Sequence, residues 1–196
     1  MSTPSVTMSE PASQPEPAPR RPLAELLPSG APRALVAVAM ATAVVASFAD
    51  FGVHGHAFIG AVFCPVLILL AAIDVKHRLL PNAIILPASL AVGLLVAAST
   101  PGDFLTHLGA GAALGGFFFV FGTVFAGSIG MGDAKLGFLI GLALGSKTLD
   151  ATLIAFATLL VAALYVLARR GVSARKDTLA FGPFLALGGI LAFFLS

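Results

Sequence analysis

The sequence predicts an all-α, polytopic transmembrane helix bundle with about seven membrane-spanning helices. Of its 196 residues, 58% are hydrophobic and 10% are charged, whereas soluble domains average roughly 45–50% apolar and about 25% charged residues. Long apolar runs alternate with short polar breaks from residue 34 onward, and the mean hydropathy is +1.02. This pattern is typical of an integral membrane protein, whose surroundings are the lipid bilayer.

The composition excludes a soluble enzyme, a disulfide-stapled secreted domain and a nucleic-acid binder. A net charge of +2 leaves no basic patch for nucleic acid, although the pI is near 9.0. Cys64 is the only cysteine, so neither an internal disulfide nor a cysteine zinc cluster can form. We therefore expect no nucleic-acid partner, no metal and no cofactor.

Residues 1–32 differ from the rest because they hold eight of the thirteen prolines and all three glutamates. Such a segment buries too little apolar surface to offset its ordering entropy, so we predict a disordered, proline-rich cytoplasmic tail. The segment also lacks the charged start and immediate apolar run of a signal peptide.

Seven apolar runs follow the tail, and a spanning helix needs roughly 17–25 residues. The runs are 34–51, 57–73, 83–98, 105–126, 134–146, 151–168 and 179–195. The run 134–146 is short, and its length alone would also suit a half-helix or a re-entrant segment.

The basic residues favour seven crossings. With the N-terminal tail in the cytoplasm, ten of the eleven Lys and Arg residues lie inside and only Lys147 lies outside, as the positive-inside bias expects. If 134–146 did not cross, the basic loop after residue 168 would move outside and break the pattern. We therefore predict a cytoplasmic N-terminus and an outside C-terminus.

Proline, glycine and cysteine within these runs fit a membrane bundle. Pro65 and Pro87 would kink their helices, and neighbouring helices can satisfy the freed carbonyls. Gly111 and Gly115 form a small-xxx-small pair that permits close helix packing. Cys64 is interpreted as a small core residue.

Asp74 directly follows the second apolar run, in the segment 71–82, which reads AAIDVKHRLLPN. Pro81 disfavours helical geometry at Leu80, so we expect the helix to end near there. Asp74 would then lie on the last turns, at the cytoplasmic membrane boundary. One interpretation is a carboxylate paired with Arg78 at the interface, and the other is a catalytic carboxylate.

Asp133 lies in the segment 127–136, which reads GSIGMGDAKL and places three glycines before an apolar helix. Asp is among the best N-cap residues, so one interpretation is a helix cap. The other is a functional carboxylate, because Gly130 and Gly132 let another backbone approach closely.

The predicted topology places Asp74 and Asp133 at the same end of the bundle, since one ends an inward helix and the other begins an outward helix. Two carboxylates that converge in a partly dry site cannot easily both ionise, so they can share a proton. An aspartic hydrolase needs this arrangement. The ionised member draws a proton from water, and the protonated member polarises the scissile carbonyl and later donates to the leaving amine.

Other polar residues are weaker candidates. His54 and His56 form a His-x-His pair in an outer loop, but a zinc site usually needs three or four protein ligands. His107 opens the fourth helix and offers no partner. Ser173 lies near basic groups, without a Ser/His/Asp order.

Three segments resemble the motifs of the type IV prepilin peptidase family. The segment 74–82 resembles the first aspartate motif. The segment 130–136, GMGDAKL, resembles the second, a Gly-x-Gly-Asp motif also seen in archaeal preflagellin peptidases and presenilin-type proteases. The segment 181–188, FGPFLALG, resembles the C-terminal signature. Three motifs in order make a far more specific signal than a lone Gly-x-Gly-Asp.

The resemblance implies a membrane aspartic endopeptidase of the bacterial cytoplasmic (inner) membrane. Its substrate would be a prepilin or pseudopilin, cut at the cytoplasmic face to remove a short basic leader. Asp74 and Asp133 match the family's catalytic aspartates.

The residues around the two aspartates would have supporting roles. Gly130 and Gly132 would let the substrate backbone lie against the second carboxylate. Lys76, Arg78 and Lys135 would tune the carboxylates rather than bind the leader, since the leader is itself basic.

The chain differs from the larger, bifunctional members, which carry a cytoplasmic N-terminal region with paired cysteines associated with methylation. It resembles the short, peptidase-only form found with Flp/Tad-type pili, so methyltransferase activity is not expected. We assign 57–196 to a six-helix prepilin-peptidase-like core and 33–56 to an extra N-terminal transmembrane helix and outer loop.

A proton- or cation-coupled transporter is the alternative, because intramembrane carboxylates commonly mark ion pathways. It predicts acidic residues near the bilayer midplane, whereas both aspartates are expected at one edge. A catalytically silent assembly protein is a third hypothesis. The sequence leaves open the substrate, the pilus system, the oligomeric state and the role of the tail.

Overall fold

The computed structural model describes residues 22–28, 30–124, 130–170 and 180–195, and the regular secondary structure in these ranges is helical throughout. The helices are α1 (Leu23–Leu26), α2 (Ala31–Phe51), α3 (Gly55–His77), α4 (Asn82–Ser99), α5 (Phe104–Val124), α6 (Met131–Leu144), α7 (Thr148–Arg170) and α8 (Gly182–Phe194). A 3-10 turn, Gly145–Lys147, joins α6 to α7. The predicted all-α, polytopic helix bundle is confirmed.

Five helical stretches among the described residues are long and apolar enough to cross a membrane. They are Pro32–Phe51, Gly55–His77, Asn82–Ser99, Phe104–Val124 and Met131–Arg169, the last of which runs through α6 and α7. These stretches indicate a multi-pass membrane protein.

Two of the helices are shorter than a membrane span. The 14 residues of α6 and the 13 of α8 each extend about 20 Å, against a hydrocarbon core of roughly 30 Å. The short α6 matches the short run 134–146. A full-length span over 179–195 is not observed, because α8 begins only at Gly182.

Two expectations fall largely or wholly outside the described residues. The predicted tail covers residues 1–32, of which 1–21 lie outside the described ranges. Its described part contains α1 and the first residues of α2. Ser173 lies in 171–179, which is also outside the described ranges.

The interior of the bundle is built on α3, α6 and α8. α6 packs most extensively on α5 and also contacts α4, α7 and α8, while α3 packs on α2, α4 and α8. α8 lies between the other two central helices, since a Cβ at Gly189 would be 3.0 Å from a Leu67 methyl and 3.3 Å from Ile140. α8 therefore connects the helix that carries Asp74 with the helix that carries Asp133.

The packing role predicted for Gly111 and Gly115 is confirmed. A Cβ on either glycine would lie 2.9 Å from a backbone oxygen of α6, that of Phe138 for Gly111 and that of Ala134 for Gly115. The order of these contacts makes α5 and α6 antiparallel. The two backbones therefore approach as closely as a missing side chain allows.

The outward-facing residues are large and apolar. Leu35, Leu90 and Val161 are 73%, 66% and 67% exposed, and a continuous apolar surface of this kind indicates contact with lipid. Cys64 is fully buried, as predicted, and Pro65 and Pro87 lie inside α3 and α4.

Two neighbouring glycines of α5 test the close packing on α6. We expect Gly115→Ala to lower stability by about 1–3 kcal/mol, because the new methyl meets the Ala134 backbone. Gly116→Ala is the matched control, since its methyl would meet nothing within 4 Å. Thermal denaturation of the purified protein in detergent measures both, and equal melting temperatures would refute the tight α5–α6 contact.

Candidate active site

The end of α3 is set by one residue in the left-handed conformation. Arg78 has φ 50° and ψ 40°, and its backbone N–H donates to the Asp74 carbonyl oxygen at 2.8 Å. The helix therefore ends at His77, three residues before Leu80, where the proline pattern placed its end. Asp74 accordingly lies on the last turn of α3.

The Asp74 side chain is buried, with 7% of its surface exposed. Its carboxylate accepts a hydrogen bond from the Gly182 backbone N–H, and the Arg78 guanidinium lies within electrostatic range. Arg78 is therefore close enough to act on this carboxylate, and its tuning role stays a prediction. The contact with Gly182 was not predicted.

Gly182 is the first residue of α8 and approaches Asp74 closely. A Cβ at this position would lie 2.5 Å from Asp74 Oδ2. The preceding Phe181 packs this helix end against two other helices. The centroid of its ring lies 5.4 Å from that of Phe118 on α5 and 5.7 Å from that of Phe156 on α7. The signal that could have identified Gly182 is the FGPFLALG segment, although no role was predicted for its glycine.

Asp133 is the third residue of α6, and Gly130 rather than Asp133 is the N-cap. The Gly130 backbone N–H donates to Asp133 Oδ2 at 3.1 Å, and the Asp133 N–H donates to the Gly130 oxygen at 3.0 Å. The interpretation of Asp133 as the N-cap residue is therefore wrong, because Gly130 holds that position. Its carboxylate still closes the helix start, because it reaches back to the N-cap backbone.

The structure brings Asp74 and Asp133 together. They come from the last turn of α3 and the first turn of α6, and the negative charge of Asp74 acts on Asp133. Both lie at the end of the bundle where α8 begins. Two mutually repelling carboxylates in a partly buried site can share one proton.

The two aspartate segments also contact each other directly. Lys135 Nζ donates to Asn82 Oδ1 at 2.7 Å, and a Cβ on Gly132 would lie 2.8 Å from the Leu80 Cβ. Lys135 therefore bonds an amide rather than an aspartate. Asn82 and Leu80 are site residues that the sequence analysis quoted but did not single out.

The remaining predicted residues occupy the edge of the site. Lys76 is exposed on the last turn of α3. Gly130 holds Asp133 through its N–H, while Gly132 packs against Leu80.

His54, His56 and His107 lie at the opposite end of the bundle. His54 Nδ1 is 2.9 Å from the Phe51 carbonyl oxygen. Among the described residues, no group of three His, Cys, Asp or Glu side chains could hold a metal ion. The expectation that His107 has no partner is wrong. Its ring is buried, and Nδ1 is 2.9 Å from the Leu142 carbonyl oxygen, to which it donates.

The family model and the known proteins that are similar to this chain are all described as leader peptidases. The model of the type IV leader peptidase family matches residues 61–167. A prepilin leader peptidase/N-methyltransferase of Bacillus subtilis is 35% identical over 152 residues, which cover 73% of this chain and 58% of that relative. A protein of the same description from Burkholderia pseudomallei is 31% identical over 175 residues, 85% of this chain and 56% of the relative.

The chain thus spans less than three fifths of the length of these relatives. No solved structure matches it significantly.

Two glycines of one motif test the contact between the aspartate segments. We expect Gly132→Ala to lower stability by about 1–3 kcal/mol, because its methyl would collide with Leu80. Gly130→Ala is the control, since the atom nearest to its added methyl, Asp133 Oδ2, would be 3.6 Å away. Urea or thermal unfolding in detergent compares the two, and a tolerated Gly132→Ala would show that the segments are not tightly packed.

Proposed function

The chain belongs to the type IV leader peptidase family, and we propose that it is a membrane aspartic endopeptidase acting on prepilin-like proteins. Asp74 and Asp133 are the catalytic pair. The observation that carries this proposal is the closeness of two carboxylates, one at the end of α3 and one at the start of α6, such that the charge of Asp74 acts on Asp133.

The pair supplies the proton transfers that peptide hydrolysis requires. The ionised carboxylate takes a proton from a water molecule, whose oxygen attacks the carbonyl carbon of the scissile bond. The protonated carboxylate donates to the carbonyl oxygen in the same step. The C–N bond then breaks as one member of the pair protonates the leaving amine and the other takes a proton from a hydroxyl of the intermediate, which restores the pair.

The surroundings of each carboxylate support such a role. Asp74 is held by the Gly182 N–H and lies near the Arg78 cation, while Asp133 is held by the Gly130 N–H. Each side chain is therefore oriented by a backbone group of a helix start. Orientation of this kind lowers the entropic cost of reaching the reactive geometry.

A groove beside the site suits the apolar helix that follows the cleaved bond of the substrate. This cavity of about 330 Å³ lies between α4, α5 and α6, and its lining includes Leu86, Gly116, Met131, Lys135 and Phe138. Because Lys135 also bonds Asn82, the groove begins where the two aspartate segments meet. A substrate helix in the bilayer would enter it sideways.

The finer features of the proposal rest on the sequence. We place the site at the cytoplasmic face of the bacterial inner membrane, with the N-terminus inside, because ten of the eleven basic residues then lie inside. The substrate class is the Flp/Tad-type prepilin. The activity is cleavage without methylation, since the single Cys64 is buried in the core and has no second cysteine to pair with.

The transporter alternative receives less support from the geometry. Both carboxylates lie at one end of the bundle, and the buried residues of α3, α6 and α8 pack between that end and the other. A hydrolytic site open to one aqueous phase fits this arrangement better than an ion pathway.

Substitution of each aspartate tests the proposed function. We expect Asp74→Asn and Asp133→Asn each to lower cleavage of a co-expressed prepilin at least about a hundredfold, because an amide cannot transfer the proton. The readout is the shortened pilin on an immunoblot of isolated membranes, normalised to the amount of enzyme.

Asp50→Asn is the matched control, since this carboxylate is exposed at the opposite end of the bundle. Continued cleavage by either site variant would exclude the two-aspartate mechanism. If the wild-type chain cleaves none of several prepilins, the peptidase assignment itself fails.

Gly182 offers a second test that keeps both carboxylates. Gly182→Ala should lower cleavage about tenfold or more, because its methyl would displace Asp74 Oδ2 and small displacements of reacting groups are costly. Gly102→Ala is the control, since its added methyl would meet nothing within 4 Å. Full activity of Gly182→Ala at normal expression would show that this contact does not position Asp74.

A further inference from the structure

At the end of the bundle opposite the two aspartates, a polar cavity lies beside an apolar groove. The cavity has a volume of about 540 Å³, and its polar lining includes His56, Asp103, Thr106, Ser146 and Lys147. The groove has a volume of about 600 Å³ and lies between α5 and α7. Thr106 and Ser146 line both spaces, so the two adjoin each other.

We propose that this combined space binds one zwitterionic phospholipid of the adjoining leaflet. The headgroup would occupy the polar cavity, and an acyl chain would occupy the groove. This site is separate from the proposed peptidase site and does not depend on it.

The groove matches an acyl chain in its chemistry. Its walls are small or apolar, and they include Gly109, Ala110, Ala113 and Phe117 on α5 with Leu149 and Phe156 on α7. The space over Gly109 is open, because a Cβ there would meet nothing within 4 Å. Small residues on α5 thus leave a channel that neighbouring helices do not fill.

The groove also matches one leaflet in length. From Thr106 to Phe117, α5 rises about 16 Å, which is half of the roughly 30 Å hydrocarbon core. The channel therefore begins at the polar cavity and ends near the bilayer midplane, as the acyl chain of a single leaflet does.

The charges of the polar cavity favour a headgroup with both signs. Lys147 and Asp103 both line it, so it offers a cation for a phosphate and a carboxylate for an ammonium group. Lys147 Nζ is 3.8 Å from Asp150 Oδ2, which is longer than a hydrogen bond. The Lys147 side chain is about half exposed, and its ammonium group has three N–H donors that suit a phosphate.

Hydrogen bonds and close packing stabilise the wall between the polar cavity and the core. His107 Nδ1 donates to the Leu142 carbonyl oxygen, and Gly145, at φ +55°, packs against the other edge of the ring, so that a Cβ would be 2.8 Å from Nε2. Thr148 Oγ1 donates to the Gly145 oxygen at 2.6 Å. The cavity therefore belongs to a fixed connection between α5, α6 and α7.

Native mass spectrometry of the full chain in a mild detergent tests the site. We expect the wild type to retain one phospholipid, and Gly109→Leu to lower the retained fraction about tenfold, because the leucine fills the groove. Ala41→Leu is the matched control, since Ala41 is exposed on α2 and lines neither the cavity nor the groove. Equal retention in both variants, or none in the wild type, would overturn the proposal.

The headgroup assignment has its own test. After delipidation, the protein is mixed with detergent micelles containing phosphatidylethanolamine or phosphatidylglycerol. We expect preferential binding of phosphatidylethanolamine, loss of that preference in Asp103→Asn, and weaker binding of both lipids in Lys147→Ala. Equal binding of the two lipids by the wild type would overturn the zwitterionic assignment, and unchanged binding by Lys147→Ala would overturn the phosphate contact.

Discussion

The approach of α8 to Asp74 is the contact on which the arrangement of the site depends. It requires that residue 182 carry no side chain, because a Cβ there would be 2.5 Å from Asp74 Oδ2. The same helix contacts both α3 and α6, so its position also sets the spacing between the two aspartate helices. In a bilayer, where apolar surfaces gain little by leaving lipid, such close backbone contacts supply much of the packing energy.

The two ends of the bundle differ in how their polar groups are used. At one end, helix termini supply backbone N–H groups to Asp74 and Asp133. At the other end, side chains bridge connections between helices, as His107 does when it bonds the Leu142 oxygen. The first arrangement orients two carboxylates, and the second fixes the order of the helices. Both arrangements supply hydrogen-bond partners to polar atoms, which lipid cannot do.

Apolar runs and charge placement predicted the helices and the shared end of the two aspartates. The residues in contact could not be predicted, because α3, α5 and α6 are apolar around most of their circumference and no polar face shows how each is rotated. The contacts of Gly182, Asn82 and His107 depend on that rotation. The predicted end of α3 was wrong for a different reason. When a residue other than glycine or asparagine adopts the left-handed conformation, as Arg78 does, the sequence gives no strong signal of it.

The short α6 and α8 place the carboxylates in a recess. α5 continues for nine residues, or about 13 Å, beyond Gly115, where it meets the Ala134 backbone near the start of α6. α7 likewise continues to Arg170 past Phe156, which touches Phe181 at the start of α8. A group that approaches the pair from the aqueous side must therefore pass the projecting ends of α5 and α7. Under the proposed function, the substrate segment at the pair would be unwound, because a carbonyl inside a helix already accepts a hydrogen bond from the N–H four residues on.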